Sequence, residues 1–207
     1  MLRALADLIL PRRCAGCGDP GELLCPACAP VGPAIVVPGL GGLAAPVRAA
    51  GRYEGGLRAA LLAYKERGRL ELAGPLAGLL AGVAARFVRP GVVLVPVPSA
   101  AAAARRRGGD HVLRLARPAG ARLGVAVVPA LRLARRVDDS AGLDGQQRRA
   151  NLAGAMCAHA PPPGAVAVLV DDIVTTGVTV QESLRALRAA GWPVLGAAAL
   201  AATPRRR

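Results

Sequence analysis

The chain has 207 residues, enough for one domain with a small appendage and too few for several large ones. Hydrophobic residues make up 53% of it but aromatics only 2%, so its core must be built from Val, Leu and Ala, which suits an α/β sheet with small-residue helices and argues against an aromatic-rich β-sandwich. The formal net charge of +14 leaves two readings open: a basic face for nucleic acid or phosphate, or a solvated surface in a composition that favours Arg, since Lys65 is the only lysine.

The chain starts "MLRALADLILPRR", a short amphipathic stretch. It carries Asp7 and has no small-residue cleavage site after an apolar run, so it does not read as a signal peptide. No run of about 18 uncharged apolar residues occurs, so no membrane span is expected and a cytoplasmic protein is.

Four of the five cysteines fall close together in "CAGCGDPGELLCPACAP": Cys14, Cys17, Cys25 and Cys28. Each C-x2-C turn can present two thiolates to one ion, and the short "GDPGELL" spacer brings the two turns together. Four thiolates with no open position describe a closed, structural zinc site. The alternatives are a pair of disulfides or idle thiols, and a reducing compartment favours the metal. Residues 1–30 therefore read as a four-cysteine zinc knuckle whose folding energy would come from metal binding. Residues 31–50, rich in Pro and Gly, read as a linker or short strands, and 51–207 as the main domain.

Within that domain "RYEGGLRAALLAYKERG" places Leu57, Leu61, Leu62 and Tyr64 near helical spacing. A second small-residue helix runs through "ELAGPLAGLLAGVAARF", where Gly78 and Gly82 weaken the helix but would allow close packing. "VVLVPVP" (residues 92–98) is a continuous β-branched run bounded by turn residues, the pattern of a fully buried parallel strand. A helical "VLRLARPAGARLG" follows, then a strand candidate over residues 125–131. Residues 134–153 form a long polar stretch, expected to be a mobile or functional loop. "AVAVLV" and "VLGAAALAAT" supply the last strands. Strands alternating with helices predict a parallel sheet with flanking helices, whose ligands bind outside the carboxyl ends of the strands.

One such end is "VLVDDIVTTGVTV". A strand over residues 166–170 runs into Asp171 and Asp172, two carboxylates that repel each other and need a cation or hydroxyl donors to offset them. Thr175, Thr176 and Thr179 offer hydroxyls, and Gly177 permits a tight turn with backbone N–H groups pointing inward. Thr179 with Glu182 three residues on reads as a capping box. Val180, Leu184 and Leu187 form the apolar stripe of a helix that stops at Gly191 and Pro193. Donors at a helix N-terminus suit a phosphate, and two nearby carboxylates suit a vicinal diol; a ribose 5-phosphate offers both. The plainer reading is an Asp-rich turn followed by a capped helix.

This signature resembles that of the type I phosphoribosyltransferases, which bind phosphoribosyl pyrophosphate (PRPP). Together with the cysteine knuckle, "YEGGLRAALLAYKERG", "LVPVPSAAAARRRGGDHV" and "GLDGQQRRANLAGA", in that order, the chain resembles the ComF family of competence-associated proteins. The resemblance implies a type I phosphoribosyltransferase-like fold. It implies that Asp171 and Asp172 bind the ribose hydroxyls and that Thr175, Thr176, Gly177 and Thr179 bind the 5-phosphate. It further implies that Ser99 opens the pyrophosphate loop, with Arg105 to Arg107 beside it. Residues 134–153 then match the catalytic loop, with Gln147, Arg148, Arg149 and Asn151 as its polar candidates. Mg2+ would accompany PRPP, and zinc the knuckle; single-stranded DNA or competence proteins are the implied partners. Where the family carries an R-G-F-N-Q type segment, this chain reads "RRGGDHV", and His111 and His159 are expected to be surface residues rather than catalysts. No segment reads as a nucleobase pocket, so transfer itself has less sequence support than PRPP binding.

Overall fold

A computed structural model describes residues 12–30, 32, 34–37, 45–99, 104–105, 108–135 and 145–203, less the side chains at 145, 146, 148 and 149. In chain order the elements are β1 (Ile35–Val36), β2 (Val47–Arg52), α1 (Gly55–Glu66), α2 (Ala73–Ala84), β3 (Val92–Pro96), α3 (His111–Leu123), β4 (Ala126–Val127), β5 (Leu131–Leu133), α4 (Gly145–Leu152), β6 (Met156–Ala158), β7 (Val166–Val174), α5 (Val178–Ala189) and β8 (Val194–Ala202).

Six strands form one sheet in the order β1-β2-β8-β7-β3-β4. Every neighbouring pair is parallel except β1 with β2. The expected parallel sheet with flanking helices is the observed fold. Its central strands are buried on both faces, which is why β3 and β7 read as continuous apolar runs rather than alternating ones. Val168 and Val170 join a core with Leu61, Leu76, Leu80 and Leu115 from α1, α2 and α3. Ala167 and Leu169 face the other side, where Leu184 and Leu187 of α5 pack with Trp192 and the β5–β6 pair. The alanines of β8 keep that strand thin between the layers. At Gly196 even a Cβ would lie 2.5 Å from Phe87 Cε1 and 2.6 Å from the Pro46 carbonyl oxygen.

Several boundaries differ from the sequence-based expectations. The strand expected over residues 125–131 divides into β4 and β5 around Pro129, which has no N–H to continue a ladder. β5 then pairs antiparallel with β6, outside the main sheet. Residues 145–152 of the polar stretch form α4 rather than loop, and Arg135 Nη2 donates to the carbonyls of Asn151 (2.8 Å) and Ala153 (3.1 Å). β1 and the first four residues of β2 lie within the stretch read as linker or short strands. Gly78 and Gly82 do not serve close packing: both are exposed, and a Cβ at either would meet nothing within 4 Å. Residues 70–87, by composition apolar enough to cross a membrane, are a core helix with flanking 3₁₀ turns; Leu72, Leu76, Leu80 and Val83 are buried in it.

The cysteine segment is not separate from this core. Leu24 is buried within the cluster that holds α1 to α3. Cys28 sits against the first turn of α1, where a Cβ on Gly56 would lie 2.5 Å from Cys28 Cβ and 2.8 Å from its Cα. That contact accounts for a glycine at the start of a helix. Gly56→Ala should cost about 1–3 kcal/mol through overpacking and should weaken metal uptake by the cysteines, read by urea denaturation and cobalt titration. Gly78→Ala should instead stabilise by roughly 0.5–1 kcal/mol.

Candidate functional site

β3 accompanies β7 only as far as Val170, where Pro96 is its partner and Val97 N–H donates to the Val170 carbonyl at 2.9 Å. β8 continues beside β7 from Asp171 opposite Ala199 to Val174 opposite Ala202. Asp171 and Asp172 therefore lie inside β7, which runs four residues beyond the expected end at Val170, at the step where the sheet loses one neighbour. Both are buried, at 7% and 4% exposure. Asp171 Oδ1 accepts the Asp172 backbone N–H (2.8 Å), and Asp172 Oδ1 accepts that of Ile173 (2.7 Å).

Asp172 has strong partners. Lys65 Nζ, near the end of α1, lies 2.7 Å from its Oδ2, and His111 Nε2, at the start of α3, lies 2.7 Å from the same oxygen. His111 Nδ1 meets Ser99 Oγ at 2.9 Å. The carboxylate can only accept, so Nε2 donates to Asp172, and Nδ1 shares a hydrogen bond with the Ser99 hydroxyl. His111 is thus buried, at 7% exposure, and belongs to the site; the expectation of a surface residue does not hold. Its position is set by Asp110, the N-cap of α3. One Asp110 oxygen accepts from Val112 and Leu113 N–H at 3.0 Å each, and the other accepts from Ser99 N–H at 2.7 Å. Tyr64 O–H donates to the His111 carbonyl at 2.9 Å. The "GGDH" segment that departs from the family pattern therefore ties the end of β3 to β7. His159 is exposed, as expected.

The two carboxylates are driven apart. Burial and the neighbouring Asp172 charge push Asp171 well above the usual carboxylate range. Burial pushes Asp172 the same way, but Lys65 and His111 outweigh it and hold Asp172 well below that range.

Thr175, Thr176 and Gly177 connect β7 to α5. Gly177, with φ 79°, is the N-cap of α5 and supplies no side-chain cap. Thr179 is not the cap but the second residue of the helix. Glu182 does not close a capping box; its Oε1 accepts the Met156 N–H (2.9 Å), and Arg185 pairs with it. The first N–H groups of α5 thus have no side-chain acceptor from the cap, the arrangement that admits an anion. The far end matches expectation. Gly191, with φ 84°, lets its own N–H reach the Arg188 carbonyl (2.9 Å) and Trp192 N–H reach that of Leu187 (3.0 Å), a Schellman closure.

The structure brings Asp171, Asp172 and, through His111, Ser99 into one hydrogen-bonded set. The threonine loop follows directly from β7. Arg105 is exposed, and no described contact ties its side chain to that set. Arg106 and Arg107 lie outside the described residues, as do the side chains of Arg148 and Arg149; Gln147 and Asn151 lie on α4. Sequence reasoning missed Lys65, Tyr64, Asp110 and His111. The available signals were a lone lysine in an arginine-dominated chain and an Asp-His pair at a helix start.

At the opposite end of α1 the four cysteine Sγ atoms lie within 4.8 Å of one another. A tetrahedron with Zn–S bonds of about 2.3 Å has S···S edges of about 3.8 Å, and Cys17 and Cys25 stand 3.6 Å apart. Cys14 Sγ accepts the backbone N–H groups of Gly16 (3.3 Å) and Cys25 (3.4 Å). Burial opposes ionisation of Cys14, but N–H donors from Cys25, Cys17 and Gly16 bring its thiol down to about 6. The cluster can hold a zinc ion.

Residues 120–207 match the family model of the phosphoribosyl transferase domain. Over this span the chain is similar to phosphoribosyltransferase domains. The matched span runs from the last turn of α3 through β8 and includes Asp171, Asp172 and the threonine loop. Lys65, Ser99, Arg105 and His111 precede it. A search of curated proteins found no match.

The split between the aspartates sets the pH dependence of the domain's stability. A raised folded pKa makes Asp171 oppose folding increasingly as pH climbs above its ordinary value of 3.8 toward the raised one. Asp172, depressed, contributes stability that is full above pH 3.8 and lost as pH falls below it. Asp171→Asn should therefore raise stability at pH 7 and flatten its decline between about pH 4 and 7, whereas Asp172→Asn should lower it by about 3 kcal/mol, as when one partner of a buried pair is removed. Urea melts across that pH range check both.

Proposed function

We propose that this protein binds PRPP as its Mg2+ complex and transfers or senses phosphoribosyl groups as a ComF-type phosphoribosyltransferase. The observation that carries the reading is two buried carboxylates at the open end of β7 leading directly into a helix N-terminus without a side-chain cap. In this reading Asp171 and Asp172 accept hydrogen bonds from the ribose 2′ and 3′ hydroxyls. Thr175, Thr176, Thr179 and the N–H groups behind Gly177 hold the 5-phosphate. The resemblance assigns Ser99 and Arg105 to the diphosphate and Arg148 and Arg149 to catalysis. Transfer would pass through an oxocarbenium-like C1, with Mg2+ neutralising the leaving diphosphate, so the protein's contribution is placement and electrostatics. A cytoplasmic location and competence partners accompany this reading on the strength of the sequence resemblance.

Calorimetric titration of PRPP with Mg2+ tests it. Wild type should release or absorb heat at one site per chain, and the Asp171→Asn/Asp172→Asn double variant should show at least a hundredfold weaker binding, about 2.7 kcal/mol. A wild type without binding heat and without ligand-induced thermal stabilisation would sink the proposal.

A second reading, contact with DNA through the knuckle, is supported by the net charge of +14 and by exposed Arg12 and Arg13 beside Cys14. With aromatics at 2%, such contact would be to phosphates rather than stacked bases. Single-stranded DNA affinity should then fall steeply with salt, with a log–log slope of about −0.7 per phosphate contacted. A flat slope removes this reading.

A further inference from the structure

A site for a diol needs two acceptors, yet the two offered here are surrounded very differently. Asp172 meets its ligand already engaged: Oδ2 takes Lys65 and His111, and Oδ1 takes the Ile173 N–H. A carboxylate has about four acceptor positions, so roughly one remains. Asp171 has the Asp172 N–H on Oδ1 and no ion pair among the described residues.

The donors on Asp172 are themselves fixed. Tyr64, adjacent to Lys65 on α1, holds the His111 backbone through its carbonyl. The His111 ring is held by Ser99, whose own N–H is held by Asp110. Helix α1, the start of α3 and the segment after β3 thus converge on one carboxylate from the face of β7 that bears Val168 and Val170. Strand alternation turns Asp171 toward the opposite face.

We propose that Lys65 and His111 are positioning residues that fix Asp172 as a pre-set acceptor, and that Asp171 is the carboxylate left for the incoming ligand to satisfy. This rests on the PRPP reading and divides the labour within it. The fixed carboxylate supplies direction, so that one hydroxyl is oriented without cost at binding. Asp171, with no ion pair among the described residues, gains a further partner when the second hydroxyl or its associated cation arrives, so its burial destabilises the empty site and is relieved in the complex. Lys65 acts through Asp172 and does not meet the ligand.

The test uses full-length, zinc-loaded protein and two probes. Ribose 5-phosphate carries the diol and phosphate; PRPP with Mg2+ adds the diphosphate. Lys65→Met should weaken both by a similar factor, about tenfold, as expected of a residue coupled to the diol acceptor. Lys65→Arg, which keeps the charge, should recover to within about threefold of wild type. His111→Ala should follow Lys65→Met. In the absence of ligand, Asp171→Asn should raise the Tm by about 2–4 °C and Asp172→Asn should lower it by more than that. Lys65→Met should lower Tm alone and lower it by less in the Asp172→Asn background, where the ion pair is already broken. A loss confined to PRPP would mean that Lys65 contacts the diphosphate, and the proposal fails. It fails equally if Lys65→Met binds both probes as wild type does, or if the two Asp→Asn variants shift Tm in the same direction. If wild type binds neither probe, the PRPP reading is lost, and the Tm series still decides whether the two aspartates divide their roles.

Discussion

Everything at the open end of the sheet hangs on one oxygen atom. Asp172 Oδ2 receives Lys65 and His111, each at 2.7 Å, and those residues come from two helices on one face of the sheet. Such a buried pair is a poor source of net stability, because desolvating the charges consumes most of what their attraction returns. Removing one partner, however, costs about 3–5 kcal/mol. The value of the arrangement is therefore geometric. It gives α1, α3 and β7 one mutual placement, and it orients the Asp172 carboxylate before any ligand is present.

Helix α1 extends that constraint to the far side of the molecule. Its first turn is pressed against Cys28 through Gly56, and its last turn carries Tyr64 and Lys65. Nine residues separate Gly56 from Lys65, about 13 Å along a helix. Leu57, Leu61 and Tyr64 bury the intervening face in the shared core. The cysteine cluster thus abuts the element that supplies the partners of Asp172, with Leu24 packed into the same hydrophobic cluster. A metal-binding appendage placed this way is part of the domain's packing, not a tethered module.

What could be read from the chain was whatever depends on neighbours in sequence. Runs such as "VVLVP" and "AVAVLV" announce strands covered on both faces, and Gly191 followed by Pro193 announces a helix end, because both signals are local. The fold class followed from their order. Lys65 and His111 escaped because their partner lies 107 and 61 positions away, across four and three intervening strands, and no spacing rule records such a contact. The division around Pro129 escaped for a related reason: an apolar run shows that a segment is buried, but not to which of two sheets it belongs.

The start of α5 shows the same limit at its sharpest, and it bears on function. Thr179 and Glu182 have the spacing of a capping box, yet Glu182 is used by Met156 and Arg185, across a span of 26 residues in the first case. The cap falls instead to Gly177, the residue least able to satisfy the N–H groups behind it. A helix whose first turn could have been closed by its own side chains is left open, next to two carboxylates of which Asp172 already takes three donors and Asp171 fewer. A helix end without a side-chain cap and a buried carboxylate with no ion pair among the described residues each cost stability in the empty protein. Their coincidence at one end of one strand is what a site for an anion beside a hydroxyl-bearing ring requires, because a ligand with both groups relieves both deficits at once.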